Sequence, residues 1–153
     1  MLPDQSRAVD SNLPQYLNYH PVDEPKQKKI LIVEDEKDFQ DMLKQILETA
    51  GYGVCAAGNG ETGLALYREA APDAVILDVH LPDMSGFDIC RSIRVQGPRP
   101  DTPVLICTIR SEVSGVAEGL GCGATDYVVK PFEVRDLLER LDRALQAHDS
   151  RPR

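Results

Sequence analysis

Short apolar runs alternate with longer amphipathic segments along most of the chain. Three runs, at residues 30–33, 74–77 and 104–107, are continuously apolar, which is typical of strands that helices cover on both faces. Weaker runs at 54–57 and 126–129 bring the number of predicted strands to five.

Apolar residues recur at helical spacing after each predicted strand. The first helix ends before Gly51, a second covers about 60–70, and the third and fourth follow Ser85 and Ser111 as N-caps. Inward residues of the first helix are predicted to be Phe39, Met42, Leu43, Ile46, Leu47 and Ala50, and those of the fifth Val134, Leu137, Leu138, Leu141 and Leu145. Five strand–helix units predict an α/β fold, a doubly wound five-stranded parallel sheet with helices on both faces.

The two ends of the chain lack this alternation. Residues 1–28 contain four prolines and little periodic apolar pattern, so we predict a flexible N-terminal extension, a domain at 29–147 and a C-terminal tail at 148–153. Within the extension, an apolar cluster is able to dock on a surface; its members are Leu13, Tyr16, Leu17 and Tyr19.

Composition excludes several classes of protein. The chain has 17 basic and 25 acidic residues, a net charge of −8, which argues against nucleic-acid binding through this domain. No apolar run approaches the roughly 20 residues of a membrane helix, and the N-terminus lacks a secretory pattern. We therefore expect a cytoplasmic protein without a membrane partner. None of the four cysteines forms a Cys-x-x-Cys pair, which disfavours a zinc or redox site, so we expect reduced thiols.

Chemistry-bearing residues follow four of the five strands. Glu34 and Asp35 follow the first, Asp78 the third, Thr108 the fourth and Lys130 the fifth. Because sites in such sheets lie beyond the carboxyl ends of the strands, we expect these side chains to converge. Three carboxylates repel one another, and Mg²⁺ relieves that repulsion while leaving positions open for water and a phosphoryl group. The lysine and the hydroxyl then complete a site for an oxyanion.

Longer stretches around these strand ends resemble a known family. They read ILIVEDE at 30–36, VILDVHLPDMSG at 75–86, PVLICT at 103–108 and GATDYVVKPF at 123–132. Together they resemble the receiver domain of bacterial two-component response regulators over about residues 28–147. The resemblance implies a flavodoxin-like sheet with strand order 2-1-3-4-5.

The resemblance also implies a reaction. Asp78 is then the phosphoacceptor, and Glu34, Asp35, Asp78 and the backbone carbonyl of His80 hold Mg²⁺. The phosphoryl donor is a sensor histidine kinase or a phosphotransfer protein. The chain is then no enzyme beyond catalysing its own phosphoryl transfer and dephosphorylation.

The resemblance also implies three residues that bind the phosphoryl group or change position when it is added. Lys130 pairs with a phosphoryl oxygen and precedes a peptide bond to Pro131 that is cis in the family. Thr108 hydrogen-bonds the phosphoryl group, and Tyr127 is the aromatic that then turns inward. The population shifts to a state in which the face of the fourth helix, fifth strand and fifth helix has changed.

The sequence departs from the family pattern beside the site. Ile109 stands where the family usually has a small residue, so we expect slow labelling by small phosphodonors. His80 and Arg110 match positions that tune the lifetime of the phosphoryl group, and exposed side chains without that role are the alternative. Asp126 and Arg140 match residues that pair across a homodimer formed on phosphorylation, and a merely solvated charged face is the alternative.

Other functions stay open at this point. A degenerate receiver would act as a phosphorylation-independent scaffold. A flavin binder is disfavoured because acids replace the phosphate-binding loop after the first strand, and an aspartate-dependent phosphatase because residue 80 is not an acid. The output is either a downstream protein target or a missing output domain.

Overall fold

Five parallel strands form a sheet in the order predicted. The structure, a computed structural model, describes residues 26–109 and 121–152. Within these ranges the strand order is β2-β1-β3-β4-β5. The strands are β1 (Lys29–Val33), β2 (Gly53–Ala57), β3 (Ala74–Asp78), β4 (Val104–Ile109) and β5 (Asp126–Lys130). The flavodoxin-like arrangement is thereby confirmed.

Four helices have both ends within the described ranges. They are α1 (Lys37–Thr49), α2 (Gly60–Ala70), α3 (Gly86–Gln96) and α4 (Val134–Asp149). The predicted N-cap Ser85 accepts a hydrogen bond from the Phe87 amide at 3.1 Å. The last helix, α4, ends two residues beyond the predicted domain boundary at 147. The predicted N-cap Ser111, the following residues up to 120 and the extension up to residue 25 lie outside the description, whereas residues 121 and 122 are helical.

The core is divided between the two faces of the sheet. Strand residues such as Leu31 and Leu77 pack with α2 and α3. Their chain neighbours Ile32 and Ile76 pack on the other face with α1 and α4. The continuous apolar runs arise from this double burial, which confirms helices on both faces.

Three residues predicted to face inward are exposed. Ala50 at the end of α1 is exposed, Met42 of α1 is 43% exposed and Val134 of α4 is 46% exposed, whereas Leu43, Leu47 and Leu137 are buried as predicted. Helical spacing shows which residues share a face, but the width of the covered stripe depends on how closely the neighbouring helix approaches. Where α1 and α4 face each other, neither helix fully covers the outermost apolar residues of the other.

The described N-terminal residues pack beside the ends of these same helices. The Gln27 side-chain amide donates to the Gly51 carbonyl at 3.2 Å, and Lys28 pairs with Asp149 at 3.0 Å. Gln27 and Lys28 therefore lie next to the C-terminal ends of α1 and α4, whereas Lys26 lines a cleft with Ala70 and Asp73.

All four cysteines lie within the described ranges and are free. Burial raises the pKa of Cys90 and of Cys107 to about 12. Of the helices in the described ranges, none is long and apolar enough to cross a membrane.

Candidate functional site

The three carboxylates predicted to converge do meet at one edge of the sheet. Val33 and Leu77 are paired in register between β1 and β3, so Glu34 and Asp78 come next on adjacent strands. Carboxylate oxygens of Glu34, Asp35 and Asp78 lie within 4.8 Å of one another. Parallel register, together with polar residues at the strand ends, is what builds this cluster.

Lys130 reaches the same cluster from the end of β5. Its ammonium nitrogen lies 3.2 Å from Glu34 Oε2 and 3.7 Å from Asp78 Oδ1. It also lies 4.1 Å from the centroid of the Phe39 ring, a cation–π contact. The Phe132 ring meets Phe39 edge-on at 5.8 Å, and the peptide bond from Lys130 to Pro131 is cis.

The site carries excess negative charge in a partly buried setting. Glu34 is only 2% exposed, and burial, followed by the charge of Asp78, raises the pKa of its carboxyl despite Lys130. One ammonium group faces three carboxylates, so a divalent cation would lower the repulsion. Carboxylate oxygens are hard ligands of the kind that Mg²⁺ prefers, and the residues present therefore fit this ion.

Gln40 holds Glu34 in place, a role that sequence reasoning missed. Its side-chain amide donates to the Glu34 carbonyl at 2.9 Å and to the Ala57 carbonyl at 3.2 Å. The Glu34 amide donates to the same Ala57 carbonyl at 3.0 Å. These bonds tie α1 to the ends of β1 and β2, so the backbone beneath the acidic cluster is fixed from two sides.

The loop after β3 is fastened to α2 by Asp83, which was also missed. Its two carboxylate oxygens accept hydrogen bonds from the Gly60 amide at 2.7 Å and the Glu61 amide at 2.9 Å. These N–H groups lie at the N-terminus of α2 and lower the pKa of the Asp83 carboxyl. The loop that carries His80 is thereby anchored at its far end.

Thr108 and Tyr127 lie on neighbouring strands behind the site. Thr108 is 3% exposed, and its hydroxyl donates to the Ile109 carbonyl at 3.4 Å. The Tyr127 hydroxyl is buried without a hydrogen-bond partner among the described residues, and burial raises its pKa to about 12. The turning of Tyr127 on phosphorylation stays a prediction.

The predicted tuning residues are only partly described. Ile109 is 45% exposed and is paired in register with Lys130, so it lies beside the site. The His80 amide lies 3.4 Å from Asp78 Oδ1, and its carbonyl as a metal ligand stays a prediction. Arg110 falls between the two described ranges.

Asp126 and Arg140 form an ion pair within one chain. Arg140 Nη1 lies 2.9 Å from Asp126 Oδ1, and Nε lies 3.1 Å from Asp136 Oδ1. The hydrogen bonds that Arg140 donates to Asp136 and Asp126 raise the pKa of its guanidinium group. A homodimer that uses Asp126 and Arg140 would have to exchange this internal pair, and such a dimer stays a prediction.

Comparison with known proteins assigns the family. A sequence model described as "Response regulator receiver domain" matches residues 30–142, and the chain belongs to this family. The DNA-binding response regulator MtrA of Mycobacterium tuberculosis (strain ATCC 25618 / H37Rv) is 34% identical over 125 residues, which are 82% of this chain and 54% of MtrA. A protein from Porphyra purpurea named "Probable transcriptional regulator ycf27" is 37% identical over 126 residues, 82% of this chain and 51% of that one. The chain thus spans about half the length of these relatives.

Solved structures show the same fold. The chemotaxis response regulator CheY4 of Vibrio cholerae has a TM-score of 0.72 at 36% identity, over 77% of this chain and 98% of that one. A CheY-like receiver domain protein from Methanospirillum hungatei JF-1 has a TM-score of 0.74 at 32% identity, over 80% of this chain and 97% of that one.

Proposed function

We propose that this receiver domain is a phosphorylation-dependent switch in which Asp78 accepts a phosphoryl group from a histidine kinase or a phosphotransfer protein. The observation that carries the proposal is the meeting of the Glu34, Asp35 and Asp78 carboxylates with the Lys130 ammonium group at one edge of the sheet. Membership of the receiver family supports the same reading.

The transfer requires little from the protein beyond positioning and charge. An oxygen of Asp78 attacks the phosphorus of a phosphohistidine, the phosphorus–nitrogen bond breaks, and its electron pair leaves with the imidazole. Lys130, already near Asp78, pairs with a phosphoryl oxygen as the acyl phosphate forms. When bound by Glu34, Asp35 and Asp78, Mg²⁺ supplies positive charge that offsets the phosphoryl oxygens. The protein would act on itself in this way and on no separate substrate.

The added charge is the signal. A phosphoryl group brings about −1.5 to −2 charges and three acceptor oxygens to the end of β3. Thr108 follows Cys107 on the adjacent strand β4, and Cys107 pairs in register with Asp78. The Thr108 hydroxyl group is therefore next to the end of β3. We propose that its reorientation, together with Tyr127 on β5, changes the surface around β5 and the neighbouring helices.

The experiment is labelling of the full chain with a small phosphodonor, followed on phosphate-affinity gels. We expect a Mg²⁺-dependent shifted band that EDTA and Asp78→Asn both abolish. Asp88→Asn is the matched control, because Asp88 is an exposed aspartate that pairs with Arg91 outside the site, and it should label like the wild type. A chain that never labels, even with kinases, would instead support the degenerate receiver acting as a scaffold.

Partners and location follow from the same proposal. MtrA is named as DNA-binding, but this chain corresponds to about half of MtrA. With its net charge of −8, we propose that the domain contacts proteins rather than DNA and passes its signal to a downstream target or an output domain. Four free thiols suit the reducing cytoplasm, where the proposed switch would operate.

A further inference from the structure

An open apolar groove lies between α1 and α4. Its walls are Met42, Ile46 and Ala50 from α1 and its C-cap, and Val134 and Leu138 from α4, and its volume is about 340 Å³. Its other lining residues, Gln45 and Thr49, are uncharged. We call this surface the α1–α4 groove. The three wrong inward predictions, Met42, Ala50 and Val134, all concern residues that line this groove.

The N-terminal part of the chain leaves the described structure at one end of this groove. Gln27 donates to the carbonyl of Gly51, the residue directly after Ala50 of the groove. Lys28 pairs with Asp149 at the end of α4, whereas the groove is lined by the first two turns of that helix. The 25 residues that precede Lys26 therefore start near the Ala50 end of the groove.

The composition of those residues matches the lining of the groove. Residues 11–20 read SNLPQYLNYH and contain no Asp, Glu, Lys or Arg, in a chain that is 27% charged. Leu13, Tyr16 and Leu17 are spaced i, i+3 and i+4, as apolar residues on one face of a helical turn are. An uncharged apolar segment suits an uncharged apolar groove.

Reach and tethering both favour contact within one chain. Seven residues from Tyr19 to Lys26 span up to about 25 Å when extended, whereas the eight residues from Met42 to Ala50 rise only about 12 Å along α1. A short linker also gives the segment an effective concentration of about 1 mM at the groove. Binding that is weak between separate molecules is therefore sufficient here.

We propose that residues 11–20 pack into the α1–α4 groove of their own chain, with Leu13, Tyr16 and Leu17 as the apolar contacts. This inference does not depend on phosphorylation of Asp78.

NMR of the full chain carrying ¹³C-methyl methionine tests the contact. The chain has three methionines, Met1, Met42 and Met84, and Met84 is an internal reference because it packs against Gly60, outside the groove. We expect nuclear Overhauser effects from the Met42 methyl to tyrosine ring protons. Leu17→Asp should remove some of these and shift the Met42 resonance, while Met84 stays unchanged. An identical Met42 resonance in the wild type and Leu17→Asp overturns the proposal.

Chymotrypsin cleavage at residues 16–19 gives a second, independent readout. Val134→Asp places a charge on the rim of the groove, in the first turn of α4 where an acid is tolerated. At an effective concentration of about 1 mM, a contact whose Kd between separate molecules is about 0.25 mM protects the segment about fivefold, so its loss should speed cleavage by about that factor. Val95→Asp is the matched control, because Val95 is an apolar residue of α3 that is 79% exposed, and it should leave the rate unchanged.

Other occupants of the groove give different results. A second copy of the chain would make the Met42 shift depend on protein concentration and would appear as a dimer in light scattering, which would overturn packing within one chain. Equal cleavage of Val134→Asp and Val95→Asp would also contradict the proposal and would leave the groove for a separate partner.

Discussion

Gly86→Ala perturbs the closest approach of helix and strand at the site. Gly86 is the first residue of α3, and its amide donates to the Val79 carbonyl at 2.8 Å. A Cβ atom at this position would lie 2.1 Å from the carbonyl oxygen of Asp78, 2.9 Å from its carbonyl carbon and 3.1 Å from Val79 Cα. All three neighbours are backbone atoms, so no side chain can rotate away to make room.

The size of the effect follows from these distances. Ordinary contacts of a Cβ begin at 3.4 Å, so relief of the 2.1 Å contact needs a movement of 3.4 − 2.1 = 1.3 Å. Overpacking of this kind costs about 1–3 kcal/mol of unfolding free energy, or a Tm lower by about 4–15 °C. The atoms that move belong to Asp78 itself, and a misplacement of about 1 Å at a reacting group slows the reaction by up to about 100-fold.

The assay combines thermal unfolding with the rate of phosphodonor labelling. Gly58→Ala is the matched control, since a Cβ there has nothing within 4 Å and its φ is not positive. We expect the control to keep its Tm within about 2 °C and to label normally. If Gly86→Ala unfolds and labels like Gly58→Ala, the close packing of α3 against the phosphoacceptor strand is refuted.

Three other substitutions test single contacts. Phe39→Leu removes the cation–π contact to Lys130, which is worth about 0.5–1 kcal/mol, and should slow labelling about two- to fivefold. Phe39→Trp keeps an aromatic ring there and should label like the wild type. Equal labelling rates for the wild type and both variants would contradict the view that Phe39 positions Lys130. Backbone N–H groups lower the pKa of Asp83 from its ordinary value of 3.8, so its hydrogen bonds stabilise the fold above pH 3.8 and are lost as the pH falls through the lowered value. In urea titrations the stability advantage of the wild type over Asp83→Asn should therefore be full near neutral pH and shrink below pH 3.8; an advantage independent of pH counts against this. Ile109→Ala should accelerate labelling by small donors because Ile109 lies beside Lys130 on the adjacent strand; an unchanged rate removes the idea that it restricts access.

The parts of the fold and site that depend on periodicity were predictable. Strands such as 30–33 and 74–77 are apolar at every position because helices cover both faces, and the parallel register then fixes where the next residues lie. Glu34 and Asp78 meet for this reason, as does Lys130 at the end of β5. The meeting of these three residues could therefore be predicted without knowledge of any contact between helices or loops.

The parts that depend on tertiary contacts were not predictable. Gln40 is one polar residue among many on α1, and only the folded chain brings it within reach of the carbonyl of Ala57. Asp83 appeared in a family motif without a role until the structure placed it at the start of α2. The exposure of Met42 and Val134 likewise depends on the gap between two helices, which no residue pattern within either helix encodes.

The measurement that tests the account most directly identifies the phosphorylated residue. The full chain is labelled with a phosphodonor in the presence of Mg²⁺ and reduced with borohydride, which converts an aspartyl phosphate into homoserine, and peptide mass spectrometry locates the change. We predict homoserine at position 78 and unmodified residues at Glu34 and Asp35. Homoserine at the position of another aspartate would contradict the claim that Asp78 is the phosphoacceptor. A phosphorylated chain that yields no homoserine would contradict it as well.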